Sequence, residues 1–323
     1  MKQKQKLTLL LLCILITTLC CSWGFFAHRR INRIAVFTLP KGMISFYMAN
    51  IDFITEHAVD PDKKRYVDST EGAKHFLDAD HYGKKPFAKI PERWAEAERQ
   101  YSADSLDKYG TVPWTIQHYY YKLVAAFKAK DTSDILRTSA NLGHYIADAN
   151  VPLHLTENYN GQLTNQVGIH ALWETRIPEL FSDGYHYHVT PAHYIQSPLK
   201  EAWKICRRTF RGVDSVLLFE RKLNATFTED KKYGEFKRGN RKVKDYTVEY
   251  AAAYQKMLHG MIERQMRFSI ADIGDFWFSA WVDAGQPNLD KLIDNHLSAD
   301  QKKLVNYEQQ LYRQSKVLPV AKQ

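Results

Sequence analysis

Residues 142–154, LGHYIADANVPLH, together with residues 169–174, IHALWE, decide how this chain folds. His144 and Asp148 stand four apart, and so do His170 and Glu174. On an α-helix that spacing stacks two side chains on one face, close enough to share an ion. The Val151–Pro152 step ends the first helix and turns the chain back before His154, because a residue preceding proline is pushed out of the helical region. Two helices and a short loop thus converge five ligating side chains on one small volume. Imidazole and carboxylate without thiolate suit zinc, with manganese or iron as the alternatives.

Outward from this stretch the pattern is helical nearly throughout. Apolar periodicity marks helices over residues 28–39, 43–55, 91–102, 113–130, 132–150, 202–219 and 247–269, the last extending toward residue 281. Residues 60–80, rich in Asp, Pro and Gly, read as a loop with short helical pieces. Alternating runs with hairpin turns are not found. The Lys- and Arg-dense segment 229–245 reads as a solvated surface loop, or as a basic lip for a polyanion. Residues 297–323 read as a surface helix with a frayed polar tail. No linker divides the chain, so one all-α domain is expected.

The first 22 residues read as a secretory signal peptide: Lys2, Lys4 and Lys6 precede a 14-residue apolar stretch, residues 7–20, too short to span a bilayer. Cleavage after Ser22 would make Trp23 the new amino terminus of a domain over residues 23–323, in the periplasm or outside the cell. Lipidation at Cys20 or Cys21 and an uncleaved anchor are the alternatives. Removal of the three lysines lowers the formal charge from +9 to +6, a mild preference for anionic partners that does not choose among them. Of four cysteines only Cys206 survives, so no disulfide framework supports the fold. A monomer without nucleotide cofactor or stable membrane span is expected.

A second group of ligating residues lies upstream: Trp23 and His28 in WGFFAH, then Asp60 and His75. The order Trp-His, Asp-His, HxxxDxxxxxH, HxxxE resembles the superfamily of bacterial zinc-dependent phospholipases C and fungal single-strand-specific zinc nucleases, over residues 23–174. The resemblance implies an all-α fold with a trinuclear zinc cleft, in which the mature amino-terminal tryptophan is itself a ligand. Carried over by position, it implies Asp60, His75 and His144 at a first zinc. Asp148 would bridge that ion to a third, held by His28 and by the α-amino and carbonyl groups of Trp23. His154, His170 and Glu174 would hold the remaining ion. Asp60 is preferred to Asp62 because its place fifteen residues before His75 resembles the nuclease pattern. Asp60 and Asp148 are the carboxylates assigned to catalysis.

Three side chains at the His154/His170/Glu174 ion leave room for water or substrate, as in catalytic rather than closed zinc sites. Several cations together suit in-line attack on a phosphodiester. The Trp23–His28 spacing and HFLDAD at residues 75–80 resemble the nuclease branch, whereas Glu174 is the phospholipase choice. Phe76, Tyr145 and Tyr159 are candidates to line either kind of substrate pocket. The expectation is an exported nuclease acting on single-stranded nucleic acid, with a phospholipase C acting on headgroup esters as the alternative. A helical metal-binding protein without turnover is the third class. His57, His81, His186, His188, His193, His259 and His296 lack a partner pattern and read as ordinary core or surface histidines. His118 reads as core or cleft-facing.

Overall fold

A computed structural model describes residues 25–238, 241–293 and 297–318. Residues 1–22, expected as a signal peptide, and Trp23 lie outside the described residues. The chain is helical nearly throughout, as expected. Its centre is the antiparallel pair α7 (Val112–Ala129) and α8 (Thr132–Ala149). Lys130, in the left-handed region at φ 56°, closes α7, and the Asp131 carboxylate caps α8 by accepting from the Asp134 amide at 2.9 Å.

Before this pair come α1 (Phe25–Ala35), α2 (Lys41–Ala49), α3 (Ile51–Glu56), α4 (Asp60–Lys64), α5 (Trp94–Tyr101) and α6 (Ala103–Tyr109). After it, α9 comprises Ile169–Ala171, a π-helical turn Leu172–Arg176 and a last turn Ile177–Phe181. Then follow α10 (Pro198–Phe210), α11 (Val213–Asn224), α12 (Glu229–Lys232), strands β1 (Tyr233–Arg238) and β2 (Arg241–Tyr246), α13 (Val248–Met257), α14 (Met261–Asp283) and α15 (Ala299–Arg313).

The long helix α14 packs on α1, α7 and α8, and α10 packs on α7 and α8. Ile262, Met266, Ile270, Ile273, Trp277 and Ala280 form the buried stripe of α14, three or four residues apart as one helix face requires. The Trp277 ring stacks on Tyr47 and its indole donates to the Ser139 carbonyl at 3.1 Å. Trp114 and Trp203 meet edge to face, and both donate to the Glu92 carbonyl, at 2.7 and 3.1 Å.

The helices over 43–55, 202–219 and 247–281 are each broken in the structure. At the first break Asn50 bonds its own side chain to the Phe46 carbonyl at 2.9 Å, a local bond that competes with helix continuation. The second falls at residues 211–212. At the third, His259 and Gly260 both take positive φ, 48° and 73°, a conformation that Gly260 adopts without strain. The segment 229–245, expected as a loop, is instead helix α12 running into an antiparallel hairpin in which Tyr233 faces Tyr246 and Phe236 faces Val243. These are the only strands among the described residues. No helix among them is long and apolar enough to cross a membrane.

Close approach of α1 to α8 sets the geometry that follows. A Cβ at Gly143 would lie 2.3 Å from Asn32 Oδ1, while Asn32 Nδ2 donates to the Ala140 carbonyl at 3.0 Å. Gly143→Ala should therefore push the two helices apart, at a cost of roughly 1–3 kcal/mol for overpacking. Urea unfolding of the metal-free protein reads this directly, and an unchanged midpoint would contradict the crossing.

Candidate metal centre

Six elements deliver the clustered side chains, with Asp62 on α4 among them. Helix α1 carries His28. A 3₁₀ turn, Gly72–His75, carries His75. Helix α8 carries His144 and Asp148, and the turn Pro152–Leu155 carries His154. Val151 is extended, at φ −94° and ψ 117°, as a residue before proline should be. The end of α8 is fixed by Asn150, whose side chain donates to Asp272 at 2.9 Å and accepts from Arg208 at 2.7 Å. Helix α9 brings His170 and Glu174, with His170 Nε2 only 2.7 Å from Glu174 Oε2 despite the π-turn.

Three sets of side chains lie close enough to hold metal ions: Asp62, His75 and His144; His154, His170 and Glu174; and His28, His144 and Asp148. In the first, His75 Nδ1 and His144 Nε2 are 3.0 Å apart, and Asp148 Oδ2 lies 2.9 and 3.2 Å from them. Asp62 Oδ1 completes the set at 3.9 and 3.8 Å from the two nitrogens. Two donors on one tetrahedral ion, with bonds of about 2.0–2.1 Å, stand about 3.3 Å apart. The observed separations straddle that value. In the second group, Glu174 Oε2 lies 3.4 Å from His154 Nε2 and 2.7 Å from His170 Nε2. Between the two groups stands His28, whose Nε2 lies 3.3 Å from Asp148 Oδ1 and 3.1 Å from Glu174 Oε1. Each buried carboxylate thus divides its two oxygens between neighbouring groups.

The remaining ring nitrogens fit ligation. His144 Nδ1 donates to the Ala58 carbonyl at 2.8 Å, His154 Nδ1 to the His75 carbonyl at 2.7 Å, and His170 Nδ1 to the Tyr159 carbonyl at 3.1 Å. A ring that donates from Nδ1 presents a lone pair at Nε2 when neutral, and in all three Nε2 faces the cluster.

Burial and charge oppose each other throughout the site. Burial would raise the Asp148 and Glu174 carboxyls, but the surrounding imidazoles outweigh it and hold both well below the ordinary range. Burial would lower His154 and His28, yet the facing carboxylates push His154 up to about 9 and His28 well above its usual value. His75 differs: burial dominates and its pKa is lowered.

The structure places Asp62, not Asp60, beside the cluster. Asp60 Oδ2 pairs with His57 Nδ1 at 2.5 Å and Oδ1 with Lys63 at 2.9 Å, at the protein surface. Asp62 takes the inward place. The two are separated by about 200° around α4, so only one can face the cluster, and the fifteen-residue spacing to His75 favours the outward one. His28, His75, His144, Asp148, His154, His170 and Glu174 are all brought together. Trp23 lies outside the described residues, two positions before α1. Phe76 is half-buried, His118 is exposed, and Tyr145 and Tyr120 are buried core residues. Asp80 holds the strand of chain after His154, accepting from the Thr156 hydroxyl at 2.6 Å and the Glu157 amide at 2.9 Å. The Asp78 carboxyl, near His154, is raised to about 7 by burial and by Asp80 and Glu157.

Sequence reasoning missed Arg176. Its guanidinium donates to the Tyr246 carbonyl at 3.1 Å, pairs with Asp245 at 3.3 Å and lies 4.5 Å over the Phe236 ring. It fastens the basic hairpin to the helix that carries Glu174. Gln166 likewise anchors the loop before His170, donating to the buried Glu220 carboxylate at 2.6 Å and the Leu217 carbonyl at 2.8 Å. No protein-family model matches this chain, and no curated protein does.

Two outcomes are expected. Asp62→Asn should weaken metal binding at the His75/His144 group by at least about tenfold, whereas Asp60→Asn should leave it within about twofold; competition with a chromophoric chelator measures both, and the reverse ranking would restore Asp60. The second concerns pH. His154, raised from 6.5 to about 9, adds stability to the metal-free fold that is fully present below pH 6.5 and is lost as pH rises toward 9. Metal requires the neutral ring, so binding strengthens over the same range. Melting temperatures should fall with pH for the metal-free protein and not for the loaded one; parallel curves would contradict this.

Proposed function

We propose that this chain is an exported zinc-dependent phosphodiesterase holding three ions, and that it hydrolyses single-stranded nucleic acid. The observation that supports it most is the division of Asp148 and Glu174 between adjoining imidazole groups, which gathers cation positions around a space bounded by two carboxylates. A donor set of imidazole and carboxylate without sulfur suits zinc. Zinc bound there supplies Lewis-acid charge to a phosphoryl oxygen and lowers the pKa of water to about 7. Among the described residues the His154/His170/Glu174 group has three side-chain donors, and His170 is its most exposed member. That leaves a position for substrate, which a closed structural site would lack.

The chain's own residues favour a polyanion. On the hairpin, Lys237 stands directly opposite Lys242, and Lys244 stands opposite Glu235. Like charges in direct cross-strand register disfavour a hairpin; Lys242 already pairs with Glu235 at 3.2 Å, and phosphates would relieve the repulsion that remains at Lys237. Arg176 ties this hairpin to the Glu174 helix. Tyr159, 53% exposed, meets His170 edge-on at 6.1 Å, and offers a ring on which an unpaired base can stack.

One observation favours phospholipid instead. Leu163 and Val167, 70% and 62% exposed, lie on the same loop as Tyr159, and aliphatic side chains suit a lipid interface better than a base. The deciding assay incubates zinc-loaded protein beginning at Trp23 with single-stranded DNA, RNA and phosphatidylcholine vesicles, with and without chelator. Chelator-sensitive polynucleotide cleavage is expected; diacylglycerol release alone would transfer the substrate to lipid. Replacing Lys237, Lys242 and Lys244 together by Glu should slow polynucleotide cleavage and flatten its salt dependence by up to about three phosphate contacts, with zinc content unchanged. An unaltered salt slope would remove the hairpin from substrate binding.

A further inference from the structure

The five clustered histidines are not held alike. His144, His154 and His170 each give their outer nitrogen to a backbone carbonyl. His75 is turned the other way round, with Nδ1 in the cluster and Nε2 outward. That Nε2 is buried and makes no hydrogen bond among the described residues. The one carboxylate oxygen within 4.0 Å of it is Glu71 Oε1, at 3.8 Å.

Glu71 is an unusual residue to find there. It is wholly buried, and it is gripped from three sides. Lys64 and Lys74 both donate to Oε2, at 2.9 and 2.8 Å, and the Tyr145 hydroxyl donates to Oε1. Tyr145 follows the ligand His144 in α8, and its ring meets His75 edge-on at 5.4 Å. A carboxylate taken fully out of water is costly unless paired and hydrogen-bonded, and a residue needed only for packing would be apolar. The cost is explicable if the charge has work to do on the adjacent imidazole.

We propose that Glu71 is a positioning residue for the metal centre: its charge, with Oε1 3.8 Å from His75 Nε2, favours the tautomer that carries the proton on Nε2 and presents Nδ1 to the ion, while Lys64, Lys74 and Tyr145 hold Glu71 in place. This rests on the metal-centre reading above. Carboxylate partners of ligating imidazoles orient the ring and raise its basicity, and their loss typically weakens metal binding about 10- to 100-fold. Backbone carbonyls do this for His144, His154 and His170; His28 Nδ1 is buried with no hydrogen bond among the described residues, and at His75 the nearest acceptor is a charged side chain.

The test compares wild type, Glu71→Gln and Tyr145→Phe by zinc competition with a chelator, by the visible spectrum of the cobalt-substituted protein, and by melting of the metal-free forms. Glu71→Gln should bind one ion about 10- to 100-fold more weakly with displaced cobalt bands, and Tyr145→Phe should shift both in the same direction by less. Metal-free melting should change far less than metal affinity, which a purely structural role would not produce. Unchanged affinity and cobalt bands in both variants would overturn the proposal, as would a loss confined to metal-free stability. Should Glu71→Gln fail to fold, Tyr145→Phe and Lys74→Met read the same quantities. A wild type that binds no zinc overturns the metal centre itself, a result distinct from wild-type binding with indifferent variants.

Discussion

Two carboxylates, Asp148 and Glu174, are buried in the middle of a helical bundle, and the rest of the structure follows from keeping them there. Both are less than a tenth exposed, and an isolated ionised carboxylate in such a place would be prohibitively unstable. Five imidazoles surround the pair, and burial by itself would protonate the acids rather than the rings. The opposite polarity prevails because each carboxylate faces several nitrogens at 2.7–3.4 Å. The carboxylates raise the pKa of His154 and His28, which favours protons on these two rings in the metal-free protein; a bound cation would take over that charge balance.

Several features of the fold serve that arrangement. The absent side chain at Gly143 lets α1 come close enough to α8 for His28 to stack on His144, with ring centroids 4.1 Å apart. Asn150, bonded to Asp272 and Arg208, ends α8 just after Asp148 and fixes the direction in which the chain returns to His154. Arg176 and Gln166 fasten the helix and loop around His170 to the hairpin and to α11. The exposed lysines and the Tyr159 ring therefore sit on elements mechanically joined to the clustered imidazoles and carboxylates, not on free loops.

Much of this was legible in the chain. The helical period of 132–150, the proline after Val151 and the i, i+4 pairs belong to local geometry, which sequence spacing encodes directly. Asp62 was not legible, because DPD places two identical acids on opposite faces of a five-residue helix and only tertiary contact selects one. Nor was the hairpin, whose strands are mostly charged; Phe236 finds its partner in Arg176, sixty residues earlier in the chain. Glu71 could have been suspected from its place four residues before His75, but its three donors come from positions 64, 74 and 145. Broken helices at Asn50 and Gly260 were marked by residues that commonly end helices, though apolar periodicity runs across both.

If these side chains hold metal, diffraction at the zinc absorption edge from the protein beginning at Trp23 should show three anomalous peaks: one among Asp62, His75, His144 and Asp148, one among His154, His170 and Glu174, and one beside His28. Zinc-replete crystals with no peak at Asp148 or Glu174, and the imidazoles bonded to the carboxylates by protons alone, would contradict that premise.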